Sequence, residues 1–331
     1  MTRVRPPLNT HLHDNTMNAT TPSVQAFRSS ILHCVRDPGE QDDTAVEYLE
    51  DGILLVANGR IESIGPADAQ LDKLPQNVAV HDYRGQLIVP GFIDTHVHYP
   101  QTDMIASYGS QLLEWLNNYT FPTERQFSDA AHAADTADFF LSELLRNGTT
   151  SALVLGTVHT ESVDAFFEMA QRRGLRMIAG KVLMDRNCPE YLRDTPETGY
   201  SQSKALIERW HGQERLQYAI TPRFAPTSTE HQLQLAGQLA AEHPDTFVHT
   251  HVAENVREVE WVAELFPKSR SYLDVYDQFN LLRDRSVLAH CIHLDTEDRK
   301  RLASSGAAMA FCPTSNLFLG SGLFDLSAAQ S

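Results

Sequence analysis

The residues of this 331-residue chain best suited to chemistry stand at the ends of apolar runs. Asp94-Thr95-His96-Val97-His98 follows the run LIVPGF. Side chains two apart on a strand project to the same face, so His96 and His98 can address one metal ion. Two histidines on a strand are often only structural, and the neighbours make the difference. In VHTHVAE, His251 offers a third imidazole. His249 shares its face in a regular strand, and spacing alone does not choose between them. The preference for His251 rests on its place nearer the strand end, with Glu254 three positions later. A carboxylate beside an activated water can take its proton and pass it to a substrate. Glu254 equally suits a helix N-terminus, where the dipole favours an acid, and the two roles are compatible. His290 comes directly off the run SVLA and is a further site candidate, whereas His293 reads as a loop histidine. Arg223 and Phe224 close the segment Thr-Pro-Arg-Phe. An Arg donates to a carbonyl or an anion and a Phe covers a planar ring, although alone the pair reads equally as a salt-bridged Arg and a core Phe.

Seven strand-like runs position these groups: QLIVPGFIDTHVH, TSALVLGTVH, RMIAGKVLMD, LQYAITPRF, TFVHTHVAE, SVLAHCIHL and AAMAFCPTS. Helical segments alternate with them, among them SVDAFFEMAQRRG and EHQLQLAGQLAAEHP, and several end in Asn-Gly, Arg-Gly or Ser-Gly as helix C-termini tend to. Apolar strands alternating with helices predict an α/β fold with a parallel sheet covered on both faces. In a (β/α)8 TIM-type barrel, functional groups sit at the C-terminal ends of strands, where His96, His98, Arg223, His251, Glu254 and His290 all fall. That fold needs an eighth strand, and seven are found. Residues 25–88 read as a small N-terminal β-domain with turns at Asn58-Gly59-Arg60 and Asp82-Tyr83-Arg84-Gly85, and 89–331 as the barrel, incomplete at its C-terminus. Residues 1–24 are polar and Pro-containing, read as a flexible tail without an apolar leader core, and Met17 is an alternative start.

Composition narrows the function. The chain is 42% hydrophobic and 21% charged, as globular proteins are, with a net charge of −16 that opposes binding to nucleic acid. A small uncharged nucleobase is not opposed by that charge. No apolar run reaches the roughly 18 residues of a membrane span, and a cytoplasmic location is expected. The cysteines Cys34, Cys188, Cys291 and Cys312 have no close spacing, so buried free thiols are expected at the latter two rather than a disulfide framework. The cytidine-deaminase type of zinc site is set aside, because it needs C-x-x-C and the chain has none.

Taken together, LIVPGFIDTHVHYPQ, LLEWLNNYTFPTERQF, LLRNGTTSALV, IAGKVLMDRN, AITPRFAPTS, VHTHVAEN, LAHCIHL and FCPTSNLFLGSGLF resemble the guanine deaminase family of the amidohydrolase superfamily, over the chain from about residue 84 onward. The resemblance implies one Zn2+ per chain held by His96, His98 and His251. It implies proton transfer by Glu254, orientation of the attacking hydroxide by His290, and recognition of guanine by Gln101, Arg223 and Phe224 together with the inward groups His98, His251 and Glu254. The product would be xanthine, with ammonia leaving, and a homodimer is possible. Two-metal relatives carry a carboxylated Lys at the end of strand four, where this chain has Arg223, so a mononuclear site is expected; Lys181, on strand three, does not fit that role.

The chain also departs from the family pattern. No Asp matches the metal-binding Asp of an eighth strand, and Asp325 lies past the seventh-strand loop. The expectation is a fragment of a longer enzyme. The alternatives are a relative acting on another amino- or halo-substituted ring, such as a triazine or pterin, and a non-catalytic remnant.

Overall fold

The structure, a computed structural model, describes residues 24–37, 39, 42–108 and 112–330. The expected tail, Met17 included, lies outside the described residues, save that Val24 already opens a strand. The chain divides into two compact units between Pro90 and Gly91.

The first unit is a four-stranded sheet of β1 (Val24–Cys34), β2 (Val46–Ala57), β3 (Arg60–Pro66) and β4 (Ala79–Ile88), in the order β3-β2-β1-β4. Its small core joins Ala26, Ile53, Leu55 and Ala67. Asn58 and Gly59 take positive φ values of 53° and 72°, as the two-residue hairpin between β2 and β3 requires. The expected turn at Asp82–Gly85 is instead an irregularity inside β4. Asp82 pairs with Arg28 and Leu87 with Ser30, so the intervening residues of β4 stand opposite Ser29 alone. The Ser29 hydroxyl compensates for the interrupted ladder, lying 3.0 Å from the Tyr83 carbonyl and 2.6 Å from that of Gln86.

In the second unit the parallel strands are β5 (Phe92–His98), β6 (Thr149–Leu155), β7 (Arg176–Gly180), β9 (Gln217–Pro222), β10 (Phe247–Val252), β11 (Ser286–His290) and β12 (Ala308–Ala310). They run in the order β12-β11-β10-β9-β7-β6-β5, and the two-residue β8 (Val182–Leu183) adds to β9 off this path. The result is a nearly closed seven-strand barrel: among the described residues, β5 and β12 form its two free edges. Helices at 130–146, 160–172, 196–210, 230–242, 256–265 and 296–305 follow six of the strands and bury one face each against them. Asp129, Thr195, Thr229, Asn255 and Asp295 cap their N-termini with side-chain oxygens. Gly180 ends β7 where a Cβ would collide with the carbonyl oxygen of Ala219, so strands there approach as only glycine allows.

Lys181, between β7 and β8, is sealed from solvent and ion-paired with Asp194. Burial pushes the Lys181 ammonium down and the Asp194 carboxyl up, each opposed by its partner's charge. Lys181 is thus engaged away from the strand-end site. Asp194→Ala should destabilise the fold by about 3–5 kcal/mol, because it leaves a buried cation unpaired. Urea unfolding measures this, and a loss below about 1 kcal/mol would mean that Lys181 reaches water or sheds its proton.

Candidate active site

The strand ends of the second unit surround a cavity of about 390 Å3. His96, His98 and Gln101 line it from the end of β5 and the turn beyond, Arg223 and Phe224 from the end of β9. His251 and Glu254 reach it from β10, and His290 from the last position of β11. Every candidate taken from the sequence therefore reaches one cavity. Its apolar wall is built by Leu112, Trp115 and Leu116, on a short helix running into the π-helical turn Leu116–Thr120. Such turns often sit at functional sites.

Each of the four cavity histidines has a partner at Nδ1. His96 Nδ1 lies 2.8 Å from His249 Nε2, and His98 Nδ1 3.1 Å from the Gln101 amide. His251 Nδ1 is 2.6 Å from the peptide oxygen of Arg223, and His290 Nδ1 is 2.7 Å from Asn316 Oδ1. A peptide oxygen only accepts, so His251 carries its proton on Nδ1 and presents a bare Nε2; Asn316 imposes the same on His290. The Nε2 atoms of His98 and His251 are 3.0 Å apart, and ligand atoms of His96, His251 and His290 all fall within 4.8 Å of one another. Burial, then repulsion among neighbours, holds the imidazoles of His96, His98 and His251 well below the ordinary value of 6.5. Converging neutral imidazoles, with the proton of His251 and of His290 held on Nδ1 by an accepting oxygen, are a donor set that suits zinc. His249, by contrast, is fully buried and stands behind His96 rather than on the cavity wall. Of the two histidines of β10, His251 lines the cavity and His249 does not.

Glu254 is 3% exposed, its Oε2 3.3 Å from His290 Nε2 and its Oε1 accepting from Ser321 Oγ at 3.2 Å. Burial pushes its carboxyl up to about 7, opposed by the Ser321 hydroxyl. Glu258 also reaches the cavity and accepts from the backbone N–H groups of Glu254 and Asn255 at 2.9 and 3.1 Å. This capping box, with Asn255 as its N-cap, holds Glu254 in the short turn between β10 and the helix at 256–265. Ala253, His290 and Cys291 all take positive φ (51°, 74° and 53°), a local strain found where strand ends are bent to present side chains.

Several groups were beyond sequence reasoning. Glu124 meets Arg223 in a buried bidentate ion pair, Asn316 and Ser321 hold His290 and Glu254, and Asp94 lines the cavity. Glu124 and Asn316 lie within EWLNNYTFPTE and PTSN, segments recognisable as sequence but with no role readable from them. His293 donates to or accepts from no cavity group and instead meets the Ser321 carbonyl at 2.9 Å. Cys291 and Cys312 are buried free thiols, as expected, with Cys312 on the cavity wall. Among the described residues no helix is long and apolar enough to cross a membrane.

Histidines from several strand ends of the barrel surround one cavity, a constellation compatible with the metal-dependent hydrolases, and the family model described as "Amidohydrolase family" matches residues 87–330. A guanine deaminase of Escherichia coli (strain K12) is 53% identical over 309 residues, covering 93% of this chain and 70% of that protein. Its solved structure superimposes with a TM-score of 0.90, covering 92% of this chain and 71% of that one. The chain belongs to the amidohydrolase family and, within it, to the guanine deaminases. The C. acetobutylicum guanine deaminase, solved with guanine bound in its active site, is similar at 29% identity and a TM-score of 0.83, over 93% of this chain and 76% of that one. An atrazine chlorohydrolase from Arthrobacter aurescens TC1, solved with zinc, matches at 20% identity and a TM-score of 0.78, over 92% of this chain and 69% of that one; it shares the fold alone.

Proposed function

We propose that this chain hydrolyses guanine to xanthine and ammonia, with one zinc ion held by His96, His98 and His251. The observation that carries the reading is the shared cavity, where imidazole nitrogens, a buried proton carrier and an arginine–aromatic pair face one volume of about 390 Å3. When bound there, the ion supplies Lewis-acid activation of water. His290, its proton placed on Nδ1 by Asn316, turns Nε2 toward Glu254 and orients the attacking water. Glu254 accepts a proton from the attacking water on a carboxylate oxygen and delivers it to the departing amino group. Phe224 covers the ring face, while Gln101 and Arg223 donate to the polar edge of guanine. The absence of a Lys at the end of β9, where Arg223 stands, supports a single ion. The substantial identity to guanine deaminases favours guanine over a triazine or pterin.

Guanine, adenine, cytosine, ammeline and 8-azaguanine assayed side by side for ammonia release test the assignment. Guanine should lead in kcat/KM; faster turnover of adenine or a triazine refutes it. Within that assay, Arg223→Ala should lose about 1–3 kcal/mol of transition-state stabilisation on guanine, since a buried carbonyl is left without its donor. Metal analysis of the same sample should show unchanged zinc occupancy. Equal losses of zinc and turnover would move Arg223 from recognition to support of the metal centre.

A further inference from the structure

Arg223 does not meet the cavity as an isolated cation. Its Nη1 and Nη2 donate to the two carboxylate oxygens of Glu124 at 2.7 and 3.0 Å, and both side chains are sealed from solvent. Glu124 ends the short helix Phe121–Glu124, directly after the π-helical turn that walls the cavity. Phe121 of the same helix lies against the guanidinium, 5.4 Å from ring centre to Cζ. One short element thus grips the guanidinium by its edge and by its face.

Two consequences follow from elementary chemistry. A bidentate carboxylate fixes the plane of the fork, so the donors it leaves over point in one direction. The pair also has no net charge, and shielded from solvent a neutralised guanidinium is a donor to an uncharged carbonyl rather than a trap for an anion. We infer that Glu124 is a positioning residue that sets substrate charge selectivity: by holding Arg223 rigid and neutralised, it makes the cavity accept a neutral oxopurine and release its anion. This rests on the guanine reading above. Xanthine gives up a proton near neutral pH far more readily than guanine does, so the same neutralisation that admits substrate weakens retention of product.

The test compares the metal-loaded enzyme with Glu124→Gln, measuring guanine kinetics and xanthine inhibition in mildly acidic and mildly alkaline buffer. With Gln, the KM for guanine should rise about ten- to a hundred-fold with kcat within a few-fold, as for a mis-aimed buried donor. Inhibition by xanthine should strengthen at least about ten-fold in alkaline buffer, where xanthine is anionic, and not in acidic buffer, as expected when a buried cation loses its counter-charge. An unchanged KM together with an unaltered pH dependence of xanthine inhibition overturns the inference. The double variant Glu124→Gln/Arg223→Gln removes both charges, replacing the buried ion pair by two shorter-reaching amides, and separates the charge effect from folding. The inference requires thermal stability to return while the KM for guanine stays high; recovery of both together makes the pair merely structural and overturns it. Should Glu124→Gln fail to fold, Glu124→Asp, which keeps the charge but shortens the reach to Arg223, takes its place: the inference requires a raised KM for guanine, and an unchanged KM overturns it. Wild-type enzyme that ignores guanine but turns over another ring defeats the functional reading itself, whereas active wild type with an unaffected Glu124→Gln defeats only this inference.

Discussion

Glu254→Gln should lower kcat on guanine by at least about 100-fold while leaving zinc content and guanine binding nearly intact. Gln has the same shape and keeps an oxygen for the Ser321 hydroxyl, which lies 3.2 Å from Oε1. What it loses is the ability to accept a proton and give it back. Burial favours the neutral form of the carboxyl, and a value of about 7 leaves both forms accessible to Glu254 at neutral pH. The substitution also removes a carboxylate from beside Glu258, itself pushed up to about 7 by burial and by Glu254. The variant should therefore fold at least as stably as the parent. Steady-state kinetics with parallel metal analysis checks this, and near-native kcat would hand the proton role to another cavity carboxylate, Asp94 or Glu258.

The second large effect concerns the metal. His96→Ala, His98→Ala and His251→Ala should each abolish stoichiometric zinc binding and, with it, turnover, because three imidazoles from two strand ends would make up the protein's main grip on the ion. His249 provides the internal control. It touches His96 at 2.8 Å but not the cavity, so His249→Gln should weaken zinc affinity by only about 10- to 100-fold, the usual cost of disturbing a partner behind a ligand. Competition against a chelator, with zinc quantified per chain, distinguishes the two classes. Two equivalents of zinc would overturn the single-ion reading. Loss of binding in the His249 variant as complete as in His251→Ala would mean that the outward Nδ1 contacts, not the inward Nε2 atoms, decide occupancy.

Much of this is legible in the amino-acid sequence. Continuous apolar runs punctuated by helices leave few alternatives to a parallel sheet, and a polar residue at the end of such a run is placed at the C-terminal face by topology. That is why His96, His98, Arg223, His251, Glu254 and His290 could be named together and why they share one cavity. Alternation within a strand, however, assigns two histidines to one face without saying which of them reaches the rim. His249 and His251 are chemically identical and share a face of β10; their depth in the barrel separates them, and depth is a property of the packed strands, not of the chain. The Asp82–Gly85 segment departs from its sequence expectation for a related reason. Its composition is that of a turn, but pairing with β1 on either side holds it within one strand, and the long-range ladder overrides local preference.

Amino-acid order by itself determined which groups face the cavity, because strand direction and chain connectivity carry that information locally. Only the tertiary structure decided what stands behind them. Glu124 meets Arg223 across 99 residues of sequence, and Asn316 meets His290 across 26. No periodicity or spacing encodes such pairs, since they arise where separate loops are brought together by packing of the barrel beneath. Those contacts set the tautomer of His290 and the charge of the arginine site, and hence what the cavity can bind, because a buried polar group takes its character from the partner that replaces water.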